Sequence, residues 1–220
     1  MMMETPLHFV SAIIIVLSAG VPIYLTFKLK QNDLRKLTLI LIIFILIHAV
    51  YHIVGFSGFN LLAEGIFEPL SAGVLIFFGV VYSRYTKPTN TSLKNTLAGG
   101  IGVIPVVNNV IMLFIINSIT MILLLIALSI FLWLAARSKN IRSFQFQISI
   151  FVVIWILGDM ISILHDTGLV VFSSIQSDLG SEIHVISMLF FSIVLYLRYY
   201  YSERSGKKIV EDVNANSSLE

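Results

Sequence analysis

Residues 97–136 read LAGGIGVIPVVNNVIMLFIINSITMILLLIALSIFLWLAA, forty residues without one charged side chain. A helix needs about 20 mainly apolar residues to cross a hydrocarbon layer roughly 30 Å thick, because it rises about 1.5 Å per residue. The stretch is therefore either one crossing preceded by a surface segment or two crossings joined by a tight turn near Asn117 and Ser118. Around it stand five plainer apolar runs, 7–27, 37–56, 67–82, 144–164 and 183–200, so its reading decides between six crossings and seven.

The basic residues choose between the two. They fall in four groups: Lys28, Lys30, Arg35 and Lys36; Arg84, Lys87 and Lys94; Arg137, Lys139 and Arg142; and Arg198, Arg204, Lys207 and Lys208. Lys and Arg near the ends of spans are retained on the cytoplasmic side. Two crossings, at 97–115 and 119–136, bring all 14 to one face, whereas a single crossing sets the two halves of the chain against each other. The resulting expectation is an all-α, polytopic integral membrane protein with seven transmembrane helices in residues 1–202, N-terminus outside and C-terminus cytoplasmic. A short polar tail, 203–220, follows, and the expected location is a plasma membrane. The first span lacks the basic flank and cleavage site of a signal peptide and reads as a mature helix. Gly99, Gly100, Gly102, Pro105, Asn108 and Asn109 make the fourth span irregular, which a membrane tolerates only inside protein or beside a wet cavity.

Composition agrees with this class. The chain is 57% hydrophobic and 12% charged, against roughly 45–50% apolar in soluble domains. Its net charge is only +2 and its basic residues lie in loops, so nucleic acid is not an expected partner. With no Cys, disulfides, thiolate metal sites and iron–sulfur ligation are excluded.

The seven-span orientation sorts the polar residues. His8, His48, His52, His165 and His184 all fall in the outer half, with Glu64, Glu68, Asp159, Asp166, Asp178 and Glu182 beside them. His48 and His52 stand at i and i+4 and share one face of the second span. Asp159 lies within the sixth span, where facing lipid would cost at least a few kcal/mol, so it is expected to face the bundle interior. Glu182 and His184 open the seventh span, and Glu64 and Glu68, again at i and i+4, open the third. The expectation is a polar pocket opening outward between spans two, three, six and seven. Trp133, Trp155 and the tyrosines at 196 and 199–201 read as packing or as an interfacial aromatic belt.

A catalytic zinc takes three protein ligands, commonly His, and lowers the pKa of a bound water to about 7. His48, His52 and His184 suit that role, with His165 as a further nitrogen donor and Asp159 or Glu68 as general base. The leading expectation is thus a metal-binding membrane protein that hydrolyses a lipid-like or other amphiphilic substrate arriving from the outer side. The placement is similar to the seven-helix hydrolase superfamily of alkaline ceramidases and adiponectin receptors, in topology and helix-end position only. Met188 stands four residues after His184, so the HxxxH of that family's seventh helix is missing and membership is not assigned.

Other chemistries draw on the same residues. A b-type haem could use His52 with His165, or His48 with His184, and copper would accept the same nitrogen donors. Retinal is excluded because every Lys lies in a loop or the tail. A small carrier or sensor for a cation, proton or solute is the alternative reading, helped by a faint likeness between the second and third spans and the sixth and seventh. An accessory subunit of a membrane complex is compatible with the short loops.

Overall fold

The computed structural model describes residues 4–29, 32–85, 109–138, 143–169 and 179–205, and among them every element is helical. In chain order these are α1 (Glu4–Lys28), α2 (Asn32–Phe56), α3 (Asn60–Leu62), a π-helical turn (Ala63–Phe67), α4 (Glu68–Tyr85), α5 (Asn109–Arg137), α6 (Phe144–Asp166) and α7 (Leu179–Ser205). Among the described residues six helical rods are long and apolar enough to cross a membrane, α3, the π turn and α4 forming one of them.

Lipid leaves no water to satisfy backbone groups, so each crossing must close its own hydrogen bonds, and long apolar runs become helices. Local chemistry sets the ends. Ser143 caps α6 by accepting from the Phe146 N–H at 3.1 Å. Gly168, at φ +71°, stops the same helix in the left-handed region, which suits a residue without Cβ. Gly58, at φ +83°, turns the chain from α2 into α3.

The third rod begins at Asn60, earlier than the expected start at residue 67. Pro69 explains its π turn: it has no N–H to give the Gly65 carbonyl, and its ring crowds that oxygen. The helix widens so that the Glu68 N–H reaches the Ala63 carbonyl, five residues back.

The expected turn near Asn117 and Ser118 is not formed. α5 runs unbroken from Asn109 to Arg137. Ser118 donates to the Phe114 carbonyl at 2.7 Å within the helix, and Asn117 is buried. Residues 109–115, assigned to the end of a fourth span, therefore belong to the same helix as 119–136. Residues 97–108, with Gly99, Gly100, Gly102, Pro105 and Asn108, lie outside the described residues.

Neighbouring helices close a ring in the order α2, α1, α7, α6, α5, α4 and back to α2. Two neighbouring pairs run parallel. The Ser192 hydroxyl of α7 donates to the Ser18 carbonyl of α1 at 2.7 Å, and Tyr24 meets Tyr199 edge-on at 6.0 Å. On the other side of the ring, a Cβ at Gly65 would lie 3.4 Å from Ile116, and Phe78 stacks on Phe131 at 6.1 Å. Tyr85 and Asn109 consequently lie at opposite ends of the bundle. One end collects Lys28, Arg35, Lys36, Arg84, Arg137, Arg198 and Arg204, every basic residue among those described.

The outer surface is apolar, as lipid contact requires: Leu17, Phe27, Phe114, Ile186 and Phe190 are all well exposed. Inside, Phe44, Phe78, Phe131, Leu75 and Trp155 are fully buried. Because lipid is as apolar as these side chains, the bundle is held by close packing and polar contacts more than by removal of surface from water.

Candidate functional site

His48 sits at the middle of the site. Its ring lies 5.0 Å from Trp155 and 5.0 Å from His52, both edge-on, and it stacks near Tyr51 at 5.4 Å and Phe44 at 6.2 Å. Trp155 in turn meets Phe44 edge-on at 4.8 Å, and Tyr51 meets His52 at 4.8 Å. These side chains span the ring interior from α2 to α6. Edge-to-face pairs of this kind contribute about 0.5–1.5 kcal/mol each beyond their area, so the imidazole is held in a fixed aromatic cage.

Two carboxyls join at similar depth. Asp159 stands one turn beyond Trp155 on the same face of α6, as His52 stands one turn beyond His48 on α2, each step about 6 Å. Glu68 is eight residues from the start of its rod at Asn60, and His48 is eight from the end of α2 at Phe56, so both lie about 12 Å from that end of the bundle. The π turn and α4 pack directly on α2. Ser71, also buried, donates back to the Glu68 carbonyl at 2.7 Å.

Burial corrects the expected outward-opening pocket. His48, His52, Asp159 and Glu68 are 0%, 1%, 3% and 4% exposed, so the layer is closed. The residues of the expected pocket divide three ways. His48, His52, Glu68 and Asp159 share this layer across α2, α4 and α6. His165 is partly buried near the end of α6, six residues and about 9 Å beyond Asp159. His184 lies on α7, but its side chain, like those of His8, Asp166 and the whole of Asp178, is outside the described residues.

No group of three or more His, Asp or Glu side chains among those described is arranged to hold a metal ion. The described nitrogen donors His48, His52 and His165 therefore form no such group, and the third ligand of the expected zinc triad, His184, is not described at side-chain level.

Trp155 and Tyr51 are the members that sequence reading missed. In the sequence Trp155 reads as packing or belt, although its position four residues before Asp159 places it on the same helical face. Comparison of the chain with protein families, with curated proteins and with solved structures finds no match.

Proposed function

We propose that the chain is a seven-crossing membrane protein that takes up and releases a proton at the buried layer of His48, His52, Glu68 and Asp159, in the class of small carriers and sensors. The observation that carries this reading is the burial of four ionisable side chains, from three helices, within about one helical turn of depth inside a ring of helices. Such residues are costly in a bilayer and characteristically mark proton relays and ion paths. Histidine changes charge between about pH 5 and 8, and a carboxyl on a facing helix is a natural donor or acceptor for the same proton. A small cation exchanged for that proton would meet the same groups.

The parallel course of α4 and α5 supports the seventh crossing. The 23 residues of 86–108 join opposite ends of the bundle, so the chain between α4 and α5 has to pass from one side to the other. The basic end then faces the cytoplasm by the positive-inside rule. Because the natural chain has no Cys, single cysteines report sidedness directly. Ser57→Cys is expected to react with an impermeant maleimide from outside intact cells, and Ser138→Cys only after permeabilisation. The opposite pattern overturns the orientation.

Trp155 is a built-in reporter of the proposed proton. A protonated imidazole quenches a neighbouring indole, and the only other Trp, Trp133, is exposed and removable as Trp133→Phe. In that background the emission is expected to fall in one step as the pH drops from 8 to 5. His48→Gln is expected to abolish the step without shifting the emission maximum, which reports that Trp155 stays buried. Emission that does not change with pH in the folded parent overturns the proposed function.

A further inference from the structure

A second feature lies on the lipid-facing side of the ring, away from the buried layer. α6 and α7 border a groove of about 640 Å³, walled by Phe146, Ile150, Ile154, Ile186, Phe190 and Val194. Ile154, Ile186 and Phe190 are exposed, and the stacked pair Phe151 and Phe191, 4.2 Å apart, forms the floor. From Ile183 to Val194 the groove follows α7 for about 16 Å, the depth of one leaflet in a hydrocarbon layer of roughly 30 Å.

A charge stands beside the basic end of the groove. Arg198 continues the α7 stripe one turn beyond Val194, and it is held to α6 at two points. Its Nε donates to Gln147 Oε1 at 2.8 Å, and its guanidinium lies 5.5 Å above the Phe144 ring. Gln147 itself lines the groove. An apolar slot of leaflet depth, with a guanidinium bonded to the Gln147 of its lining at the basic end, is complementary to an amphiphile with a long tail and an anionic head. Arg binds phosphate through paired N–H donors in a planar fork.

We propose that the α6–α7 groove binds one acyl chain of an anionic phospholipid, with the lipid phosphate on Arg198. The basic end supplies the matching leaflet, and a zwitterionic lipid would bring a cationic group towards the same guanidinium.

Native mass spectrometry of the detergent-purified protein tests this with phosphatidylglycerol, phosphatidylcholine and oleate as probes. The parent is expected to retain one phosphatidylglycerol in preference to phosphatidylcholine. Arg198→Gln is expected to weaken that binding about tenfold, the loss of a charge-assisted contact. Ile186→Trp fills the slot without touching the charge and is expected to weaken it comparably, so the proposal stays testable if the Arg198 variant fails to fold. Arg204→Gln removes a charge at the same end but outside the groove and is expected to leave binding unchanged. Equal retention of the two phospholipids, equal losses in the Arg204 and Arg198 variants, or oleate held as tightly as phosphatidylglycerol would each overturn it.

Discussion

Gly180→Leu is expected to prevent stable assembly of the bundle. A Cβ at Gly180 would stand 2.6 Å from the Gly158 carbonyl oxygen and 2.6 Å from the Ser162 nitrogen, so α7 lies directly on the backbone of α6 at this crossing. A backbone cannot rotate away as a side chain can, and relief requires the two helices to separate. Overpacking in a close-packed interior typically costs about 1–3 kcal/mol, and a clash with two backbone atoms of the facing helix belongs at or above the top of that range. The separation would also displace Asp159, which follows Gly158 on α6. Gly20→Ala is the matched control: nothing lies within 4 Å of its Cβ position, and it sits inside α1. That change should stabilise by about 0.5–1 kcal/mol through helix propensity. Thermal unfolding in detergent, read by loss of a monodisperse peak, distinguishes the two; a Gly180→Leu protein as stable as the parent would contradict the close crossing.

The spans were readable because lipid burial demands uninterrupted apolar runs, and five of them are bounded by charges. Helix ends inside apolar sequence were not readable for the same reason. Asn117 and Ser118 resemble a turn, yet Ser118 satisfies its hydroxyl on Phe114 and Asn117 is buried, so α5 continues through both. Glu64, Glu68 and Pro69 resemble a helix start, yet the π turn carries the rod past them back to Asn60.

Within the site, the pairing of His48 with His52 followed from i, i+4 spacing, and the interior position of Asp159 followed from the cost of an ionisable group in lipid. Depth was harder to read. Spacing places residues on a face, but whether that face opens to water depends on how closely the neighbouring helices pack, and here that packing leaves His48, His52, Glu68 and Asp159 buried.

Asp159→Asn separates fold from function. The amide has nearly the shape of the carboxyl and no proton to exchange, so the bundle is expected to assemble with stability within about 1 kcal/mol of the parent, or above it, since an ionisable group no longer has to be buried. The proton response is expected to be lost. Loss of the fold in this variant together with Gly180→Leu, but not in Gly20→Ala, would assign Asp159 a structural role instead.

Infrared difference spectroscopy of the parent between pH 8 and pH 5 tests the buried proton centre most directly, because a carboxyl in an apolar layer has a C=O stretch separate from the amide bands. The account predicts a carboxyl band that changes across this interval, is removed by Asp159→Asn or Glu68→Gln, and changes in step with imidazole bands removed by His48→Gln. A parent spectrum in which neither carboxyl nor imidazole bands of these residues change between the two pH values would contradict it.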